Sequence, residues 1–330
     1  MTRHPWVAAG DDGVRFGVQL ITPEEPGALR QLVETAGWVE GLGFDALFIF
    51  DHPACHVDPW IALSGIATRT STIRLGSAVN CGLYRHPAYL ARLATDLDNL
   101  SDGRLILGLG SGWLEREFRA LGLPFPPIGQ RQAALGEALQ IIEGVWGPEP
   151  YSFAGEHFRT EAMRITPPPV QSPRPPIMLG GSGERVTLRQ VAQSADACNV
   201  REGTGPEEGF DISARATAVA RKLAALDRHC EEVGRLREEI LATHFTLYLI
   251  LGETEDAATM KLNTLDTAAS TSPGTRRSGK AEIVAGSPER LVEYYRALVE
   301  TGIRYFVVQL AADDRETIEL LARDVIPQVG

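Results

Sequence analysis

Short apolar runs alternate with helical patterns along most of the chain. Leu29, Leu32, Val33 and Ala36 show the helical spacing, and similar patterns follow later. The apolar runs are rich in Ile, Val and Phe, and most are too short for helices, so they predict strands. The eight predicted strands cover 16–20, 45–50, 73–80, 104–109, 176–180, 196–200, 242–251 and 304–310. This alternation predicts a parallel sheet, and its length favours a closed (β/α)8 TIM barrel over an open doubly wound sheet.

Two stretches exceed a simple strand–helix unit. The first lies between the fourth and fifth strands, where 166–177 is rich in proline and 150–160 predicts a small hairpin. The second, 266–280, precedes the eighth strand and is small, polar and aperiodic, which predicts a mobile surface loop. No shift in composition marks a domain boundary. We therefore expect a single domain over 1–330, with insertions after strands four and seven.

Composition and charge narrow the classes of partner. The chain has 44% hydrophobic and 23% charged residues, as is typical of soluble globular proteins. Its net charge of −11, without any Lys/Arg-rich block, argues against nucleic acid or an anionic membrane as a partner. No apolar run approaches the length of a membrane span. Four scattered cysteines, none in a C-x-x-C pair, indicate reduced thiols and a cytoplasmic location.

The second predicted strand leads directly into Asp51 and His52. Because the carboxyl ends of the strands carry the chemistry of parallel barrels, both side chains are candidates for the cavity mouth. The alternative is that Asp51 caps the following turn and His52 only lies near the edge. His56 is interpreted as a surface residue rather than part of the site.

The third predicted strand is interrupted by small residues. Gly76, Ser77 and Ala78 are typical of a bulge or of a close approach by a flat ring. Small residues that merely fill a tapering barrel are an equally good explanation. Asn80 and His86 could face the same mouth.

The fourth predicted strand ends in GLGSGW, residues 108–113. The spacing differs from the G-x-G-x-x-G of dinucleotide-binding folds, and no acidic residue follows about 20 positions later. We interpret the glycines as keeping the barrel mouth open, with Trp113 as a wall.

The fifth predicted strand ends with Gly180, Gly181 and Gly183, ahead of a helical pattern. Free amides at such a position bind phosphate without a lysine, and Arg185 could add charge. A tight turn alone would also account for the glycines.

Other common chemistries lack support in the sequence. There is no H-x-H on the first strand and no H-E-x-x-H, so no metal site is predicted. No G-x-S-x-G is present for a serine hydrolase. Glu115 and Glu117 lie too near the start of a helix to form a glycosidase pair, and they are interpreted as complementing the helix dipole.

Together, these motifs resemble those of the bacterial luciferase-like superfamily, in particular its coenzyme F420-dependent oxidoreductase branch. The resembling segments are GLGFDALFIFDH (41–52), IRLGSAVN (73–80), YRHPAYLARLATDLDNLSDGRLILGLGSGW (84–113), Glu117, Phe118, LGLPF (121–125), Arg131, EALQIIEGVW (137–146), PPIMLGGSGERVTLRQVAQSAD (175–196) and GSPERL (286–291). The resemblance is dense over 14–200 and thin in the last third of the chain. It implies a (β/α)8 barrel with insertions.

The resemblance also assigns roles to residues. The deazaflavin ring would lie against a third-strand bulge at Ser77 and Ala78, often formed in the family by a non-proline cis peptide. Asp51 and His52 would lie beside the reactive ring edge as catalytic residues, with His52 exchanging the proton that accompanies hydride transfer. The cofactor-binding residues so implied are Asp51, Ser77, Ala78, Asn80, Gly112, Trp113, Gly180, Gly181, Ser182 and Gly183.

Two positions depart from the family pattern. Trp113 stands where sugar-phosphate dehydrogenases of this branch have a catalytic Glu, which argues against that substrate and that acid. Cys198 replaces the usual aromatic residue, so the pocket wall differs.

The predicted function is hydride transfer between C5 of F420 and a small organic substrate. The main alternative is a two-component monooxygenase that uses FMN on the same barrel. A non-catalytic flavin-binding protein is the alternative from another class. A homodimer is a further expectation from the family.

Overall fold

A closed barrel of parallel strands forms the centre of the molecule. The computed structural model describes residues 3–181, 183–202, 210–265 and 282–330. The strands, in chain order, are β1 Arg15–Ile21, β2 Ala46–Ile49, β3 Arg74–Ser77, β4 Asn80–Cys81, β5 Leu105–Gly110, β6 Tyr151–Ala154, β7 Arg159–Met163, β8 Ile177–Gly180, β9 Ala197–Val200, β10 Leu241–Thr246, β11 Leu249–Leu251, β12 Val284–Gly286 and β13 Tyr305–Ala311.

The order of the strands closes the sheet. It runs β3, β2, β1, β13, β10, β9, β8, β5 and β4, and β3 also pairs with β5. All of these pairings are parallel. β3 and β4 together form the third barrel position, so the (β/α)8 TIM barrel is confirmed.

Two of the eight predicted strands are divided in the structure. The third is interrupted between Ser77 and Asn80, where the Ala78–Val79 peptide is cis. The seventh ends at Thr246, and β11 then pairs with β12 in a separate two-stranded sheet. Tyr248, at this second break, has a left-handed φ of 49°. The small residues at 76–78 predicted an interruption of the third strand, whereas the apolar run 242–251 predicted a single, continuous seventh strand.

Helices cover the outside of the barrel. Proline starts several of them, including those at Pro87 and Pro288, where its fixed φ suits the first turn. The α-helices are Pro5–Ala8, Ala28–Gly41, Pro59–Ala67, Pro87–Leu100, Glu115–Ala120, Ile128–Val145, Thr187–Ser194, Ile212–Val233, Glu255–Thr264, Pro288–Glu300, Arg315–Leu320 and Ile326–Val329.

The buried residues form an outer and an inner layer. The large outer cluster lies between strands and helices. The inner cluster fills the barrel and includes Phe48, Met178 and Tyr305. Trp6 belongs to it and packs edge-on against Tyr305 at 5.4 Å between ring centroids. The barrel is thus a packed core, and its free end is the one at which the strands finish.

The insertion between β5 and β8 contains the predicted hairpin. β6 and β7 pair antiparallel, and the hairpin extends a few residues beyond the predicted 150–160. The predicted surface loop at 266–280 lies outside the described residues. The single domain over 1–330 stays a prediction. Within the described ranges, no helix is both long and apolar enough to cross a membrane.

Candidate active site

The break between β3 and β4 forms one side of the barrel mouth, the end at which the strands finish. The Ser77 hydroxyl donates to the Gly108 carbonyl at 2.9 Å and accepts from the Gly108 amide at 3.1 Å. The Asn80 amide group donates to the same hydroxyl at 2.5 Å. Ser77 and Asn80, both predicted as cofactor-binding residues, therefore lie together and fix the bulge to β5.

Two glutamines inside the barrel hold the bulge from below. Gln19 on β1 donates from Nε2 to the Ala78 carbonyl. Gln309 on β13 donates to Gln19 Oε1 at 2.7 Å. Sequence analysis missed this pair. Each glutamine is a polar residue in the middle of an otherwise apolar strand. This pattern could have identified Gln19 and Gln309 as candidates for a role inside the barrel.

The glycines of β5 and β8 make room for the bulge. A Cβ at Gly108 would lie 1.8 Å from the Ser77 carbonyl oxygen. At Gly110 and Gly180, a Cβ would lie 2.9 and 2.7 Å from methyl groups of Val79. The space that these glycines leave is therefore taken by the bulge itself, and Val79 is the side chain presented beside them.

Asp51 is engaged in an ion pair at the end of β2. Arg85 donates Nη1 to Asp51 Oδ2 at 2.6 Å and Nη2 to Oδ1 at 3.2 Å. The Cys81 amide also donates to Oδ2 at 3.2 Å, and Arg85 continues to Asp58 at 3.0 Å. Burial raises the pKa of Asp51 while Arg85 opposes the rise. This geometry joins β2 to the segment after β4, and a catalytic role for Asp51 stays a prediction.

His52 is held by a buried carboxylate. Its Nδ1 lies 2.8 Å from Oε2 of Glu117, whose side chain is fully buried. The Tyr84 hydroxyl donates to the same oxygen at 2.9 Å, whereas buried Glu117 Oε1 has no hydrogen-bond partner. Rings flank the imidazole, with Phe50 at 5.2 Å and Trp113 at 5.8 Å.

Glu117 is a site residue whose role the sequence analysis misread as a helix-dipole effect. It lies on the short helix Glu115–Ala120, on the side that faces the core. Its neighbour Phe118 is equally buried, and a carboxylate next to a core position requires a buried partner. This pattern could have identified Glu117 as a buried carboxylate from the sequence alone. It could not have identified His52 as its partner.

Two groups near His52, the thiol of Cys81 and the hydroxyl of Tyr84, remain protonated at neutral pH. Burial raises the pKa of Cys81 to about 12, so its thiol is not a nucleophile. Burial also raises the pKa of the Tyr84 hydroxyl, and nearby Cys81 and Glu117 act in the same direction.

Gly112 and Trp113 complete the wall near His52. Gly112 has a left-handed φ of 73°, and a Cβ there would lie 2.7 Å from Phe118. Trp113 is 39% exposed and meets His52 edge-on. Its predicted role as a wall of the mouth agrees with this placement.

The glycine turn after β8 is folded back on the barrel. The Gly181 amide donates to the Asn199 carbonyl at 3.2 Å, so this amide already has a partner. The Gly183 carbonyl accepts from Leu188 at 3.1 Å, at the start of the helix Thr187–Ser194. Ser182 lies outside the described residues. Phosphate binding by this turn stays a prediction.

Two histidines lie elsewhere than expected. His86 caps the helix that starts at Pro87, since its Nδ1 accepts from Ala88 at 3.3 Å and its Nε2 meets the Arg159 carbonyl at 2.9 Å. The prediction that it could face the mouth is wrong. His56 is not a surface residue, because its ring packs against Phe50 at 4.1 Å, tilted by 40°, and burial lowers its pKa to about 4.

The fold and this site define a class of protein: a (β/α)8 barrel whose interrupted third strand faces a histidine at the mouth. The chain belongs to the luciferase-like monooxygenase family, whose model matches residues 14–305. The resemblance stated from the sequence motifs is therefore confirmed.

Individual relatives refine the comparison. An F420-dependent glucose-6-phosphate dehydrogenase of Amycolatopsis mediterranei is 26% identical over 318 residues, covering 91% of this chain and 94% of that protein. The solved structure of an F420-dependent tetrahydromethanopterin reductase from Methanopyrus kandleri aligns with a TM-score of 0.76 at 21% identity, over 96% of this chain and all of that one. The oxygenating constituent of 3,6-diketocamphane monooxygenase of Pseudomonas putida, solved with FMN, aligns with a TM-score of 0.74 at 18% identity, covering 96% and 99%.

Proposed function

We propose that the chain is an F420-dependent oxidoreductase that transfers a hydride between the deazaflavin C5 and a small organic substrate, with His52 as the proton-exchanging group. The contact between His52 Nδ1 and the buried Glu117 carboxylate at the mouth carries this proposal. The Amycolatopsis relative, named as F420-dependent and matched over nine tenths of the chain, supports F420 as the cofactor.

The residues at the mouth fit a flat, polar-edged cofactor. Among the described residues, the glycines on β5 and β8 add no side chain of their own beside the bulge, which presents Val79 there. The buried Asn80 Oδ1 has no hydrogen-bond partner, so a polar group is available next to the bulge. We therefore assign the ring to the face formed by Ser77, Ala78 and Asn80, and the phosphate to the glycine turn at 180–183.

F420, when bound, supplies the hydride chemistry, because its ring accepts or donates two electrons at C5. The protein then contributes orientation, exclusion of water and the proton. The rings of Phe50 and Trp113 pack against the imidazole and help to exclude water from it. Shielding from water strengthens the electrostatic interactions of the polar groups that remain.

His52 exchanges the proton through Nε2. With Nδ1 donating to the Glu117 carboxylate, the lone pair of a neutral imidazole lies on Nε2. In the direction of substrate oxidation, Nε2 takes the proton that leaves the substrate as the hydride departs. In the reverse direction, the imidazolium returns it.

Glu117 positions the imidazole and stabilises its charged form. The carboxylate fixes the ring orientation and the tautomer, as the acidic member does in a catalytic triad. The Tyr84 hydroxyl in turn fixes the carboxylate. Sugar-phosphate dehydrogenases of this branch have a catalytic Glu at the position of Trp113. In this chain, Glu117, a little later in the sequence, provides a buried carboxylate instead.

Replacing His52 with Ala tests the proposal. We expect turnover to fall by about 100-fold or more, the usual range for a lost general acid–base group, with F420 affinity nearly unchanged. Steady-state kinetics with F420 and fluorescence titration of F420 measure the two quantities. His86→Ala is the matched control, because it removes an exposed imidazole that caps a helix, and turnover should persist.

An unchanged rate in His52→Ala would remove His52 from the mechanism. Normal cofactor binding without turnover in the unaltered protein, over a broad set of substrates, would favour the non-catalytic alternative. A flavin spectrum of the loaded protein with oxygen-dependent turnover would favour the FMN monooxygenase.

A further inference from the structure

Three polar side chains meet at the barrel mouth, between the ends of β5 and β8. We call them the hydroxyl cluster, and they are Ser111, Gln132 and Thr187. Gln132 Nε2 lies 3.1 Å from Ser111 Oγ and 3.3 Å from Thr187 Oγ1. Ser111 directly follows β5, Gln132 lies near the start of the helix Ile128–Val145, and Thr187 begins the helix Thr187–Ser194. The cluster thus joins three segments on this side of the mouth.

Gln132 acts in the hydroxyl cluster as a hydrogen-bond donor. Its Nε2 carries two hydrogens, one for each hydroxyl oxygen. Its Oε1 is buried and, within the described residues, has no hydrogen-bond partner. Because both hydroxyl oxygens accept from Gln132, the hydroxyl hydrogens of Ser111 and Thr187 are left to donate elsewhere. Among the residues that the structure describes, neither hydroxyl donates to a protein acceptor.

Two glycines leave the Thr187 hydroxyl uncovered on one side. A Cβ at Gly183 would lie 3.0 Å from Thr187 Oγ1, and a Cβ at Gly181 would lie 3.5 Å from the same oxygen. Gly183 is exposed, whereas Thr187 and Ser111 are only 4% and 8% exposed. Since neither glycine places a side chain over the hydroxyl, a ligand that lies against these glycines reaches Thr187 Oγ1.

The positions of the two hydroxyls are fixed before any ligand binds. Gln190 Nε2 donates to the Gln132 carbonyl at 2.7 Å, which ties the helix Thr187–Ser194 to the helix Ile128–Val145. Donors that are already ordered lose little conformational entropy on binding. A buried donor without an acceptor costs free energy, and a ligand that accepts its hydrogen bond removes that cost.

The chemistry of the hydroxyl cluster fits a phosphodiester. Such a group offers two non-bridging oxygens as acceptors and carries one negative charge. Thr187 is the first residue of its helix, and the free amides and the dipole at a helix N-terminus favour an anion. Hydroxyl donors beside that end of the helix add charge-assisted hydrogen bonds without requiring lysine or arginine.

We propose that the hydroxyls of Ser111 and Thr187, oriented by Gln132, donate hydrogen bonds to the phosphodiester in the tail of F420. This inference rests on the proposed F420 function, and it identifies side chains that hold the cofactor in addition to the glycine turn. Gln132 is a positioning residue, because it acts on the phosphate only through the two hydroxyls.

Three ligands that share one ring isolate the contribution of the phosphate. The first is the 8-hydroxy-5-deazariboflavin core of F420, which has no phosphate. The second is the terminal phosphate ester of that core, and the third is F420 itself. Fluorescence titration gives the dissociation constant of each ligand for the unaltered protein and for each variant.

Thr187→Val removes the hydroxyl and keeps the branched shape of the side chain. We expect it to weaken binding of F420 and of the core phosphate about 10-fold, the loss of one hydrogen bond to a charged group, and to leave binding of the core unchanged. Ser111→Ala should do the same, and Gln132→Leu should have a smaller effect of the same kind. Thr187→Ser retains the hydroxyl and should bind both phosphate ligands as the unaltered protein does.

Thr95→Val is the matched control for the loss of a buried hydroxyl. Thr95 is fully buried on the outer helix Pro87–Leu100, where its hydroxyl donates to the Ala91 carbonyl at 2.8 Å. All three ligands should bind this variant as they bind the unaltered protein.

Unchanged affinity for the phosphate ligands in Thr187→Val, or an equal loss for all three ligands, would overturn the role of the hydroxyl cluster and leave the F420 function standing. A loss confined to F420 would assign the cluster to the rest of the tail and contradict its contact with the phosphate. Failure of all three ligands to bind the unaltered protein would instead overturn the proposed function, and this inference with it.

Discussion

At the scale of single residues, the account depends on one buried carboxylate. Glu117 accepts hydrogen bonds from His52 and Tyr84 through a single oxygen. Such an arrangement holds the His52 ring in one orientation and one tautomer. The negative charge of the carboxylate then stabilises the imidazolium that forms when the ring gains a proton. The effect of Glu117 should therefore appear in the chemical step rather than in cofactor binding.

Glu117→Gln keeps the shape of the side chain and removes its charge. We expect kcat to fall about 10- to 100-fold while the dissociation constant of F420 changes little. Tyr84→Phe should have a smaller effect of the same kind, because Glu117 keeps its contact with His52. Steady-state kinetics and fluorescence titration separate the two quantities.

A loss of F420 affinity as large as the loss of kcat would contradict the positioning role of Glu117. Glu115→Gln is the matched control. Glu115 lies on the same short helix, is exposed, and forms an ion pair with Arg119. Its variant should behave as the unaltered protein does.

The sequence predicted some of the site residues and missed others for a physical reason. Asp51 and His52 follow an apolar run directly, so the strand pattern alone identifies them as candidates at the mouth. Glu117 and Gln19 act through partners 65 and 59 residues away. Such pairings form only when the barrel closes, and a local sequence pattern does not predict which distant residues then meet.

At the scale of elements, the fit between β3 and β5 sets the shape of the mouth. The Ser77 carbonyl occupies the position that a side chain at residue 108 would need. Packing against the bulge thus requires glycine at the end of β5. The sequence pattern alone does not show whether these glycines serve packing or ligand binding.

Gly108→Ala tests this packing. The added methyl would overlap the Ser77 carbonyl at 1.8 Å, so backbone must shift and we expect a loss of about 3 kcal/mol or a failure to fold. Gly129→Ala is the control, since its Cβ would meet nothing within 4 Å in the helix Ile128–Val145. That change should stabilise by roughly 0.5 kcal/mol. Urea denaturation measures both, and equal stabilities would contradict the fit.

A second element contact predicts the response to acid. Glu40 at the end of the helix Ala28–Gly41 accepts hydrogen bonds from the amides of Ser71, Thr72 and Ile73 at 2.7 to 2.9 Å. Burial raises the pKa of Glu40, but these bonds and the Thr72 hydroxyl together lower it to about 2. Because the folded-state pKa is depressed, the stabilisation is complete above the unfolded value of 4.5 and is lost as pH falls towards 2.

Glu40→Gln should therefore destabilise at neutral pH by about 1–2 kcal/mol, a value reduced for the partial exposure of the side chain. The difference from the unaltered protein should shrink between pH 4.5 and 2. Thermal unfolding across that range measures it, with Glu34→Gln on the exposed face of the same helix as the control. A difference that stays constant with pH would show that the hydrogen-bonded carboxylate is not the cause.

The sequence predicted elements well where their patterns are local. All eight barrel strands lie where apolar runs predicted them, and the hairpin of β6 and β7 was found from its turn. The interruption of the third strand was predicted from its small residues, and it coincides with the cis peptide between Ala78 and Val79. The division of the seventh strand was not predicted, because it accompanies the pairing of β11 with the distant β12.

At the scale of the whole molecule, the residues that pack the barrel core and the residues of the candidate site lie in different parts of the barrel. Trp6 and Tyr305 belong to the packed inner cluster, and the bulge and His52 lie where the strands finish. The same scaffold holds F420 enzymes and FMN monooxygenases among the structures that this chain resembles. The fold therefore allows both cofactors, and the choice between them belongs to the mouth.

The most direct measurement of the central claim is a fluorescence titration of the purified protein with F420 and, separately, with FMN. The account predicts saturable binding of F420 and no saturation with FMN over the same concentration range. The F420-loaded protein should then pass a hydride to or from a small organic substrate. Saturable binding of FMN without binding of F420 would contradict the account.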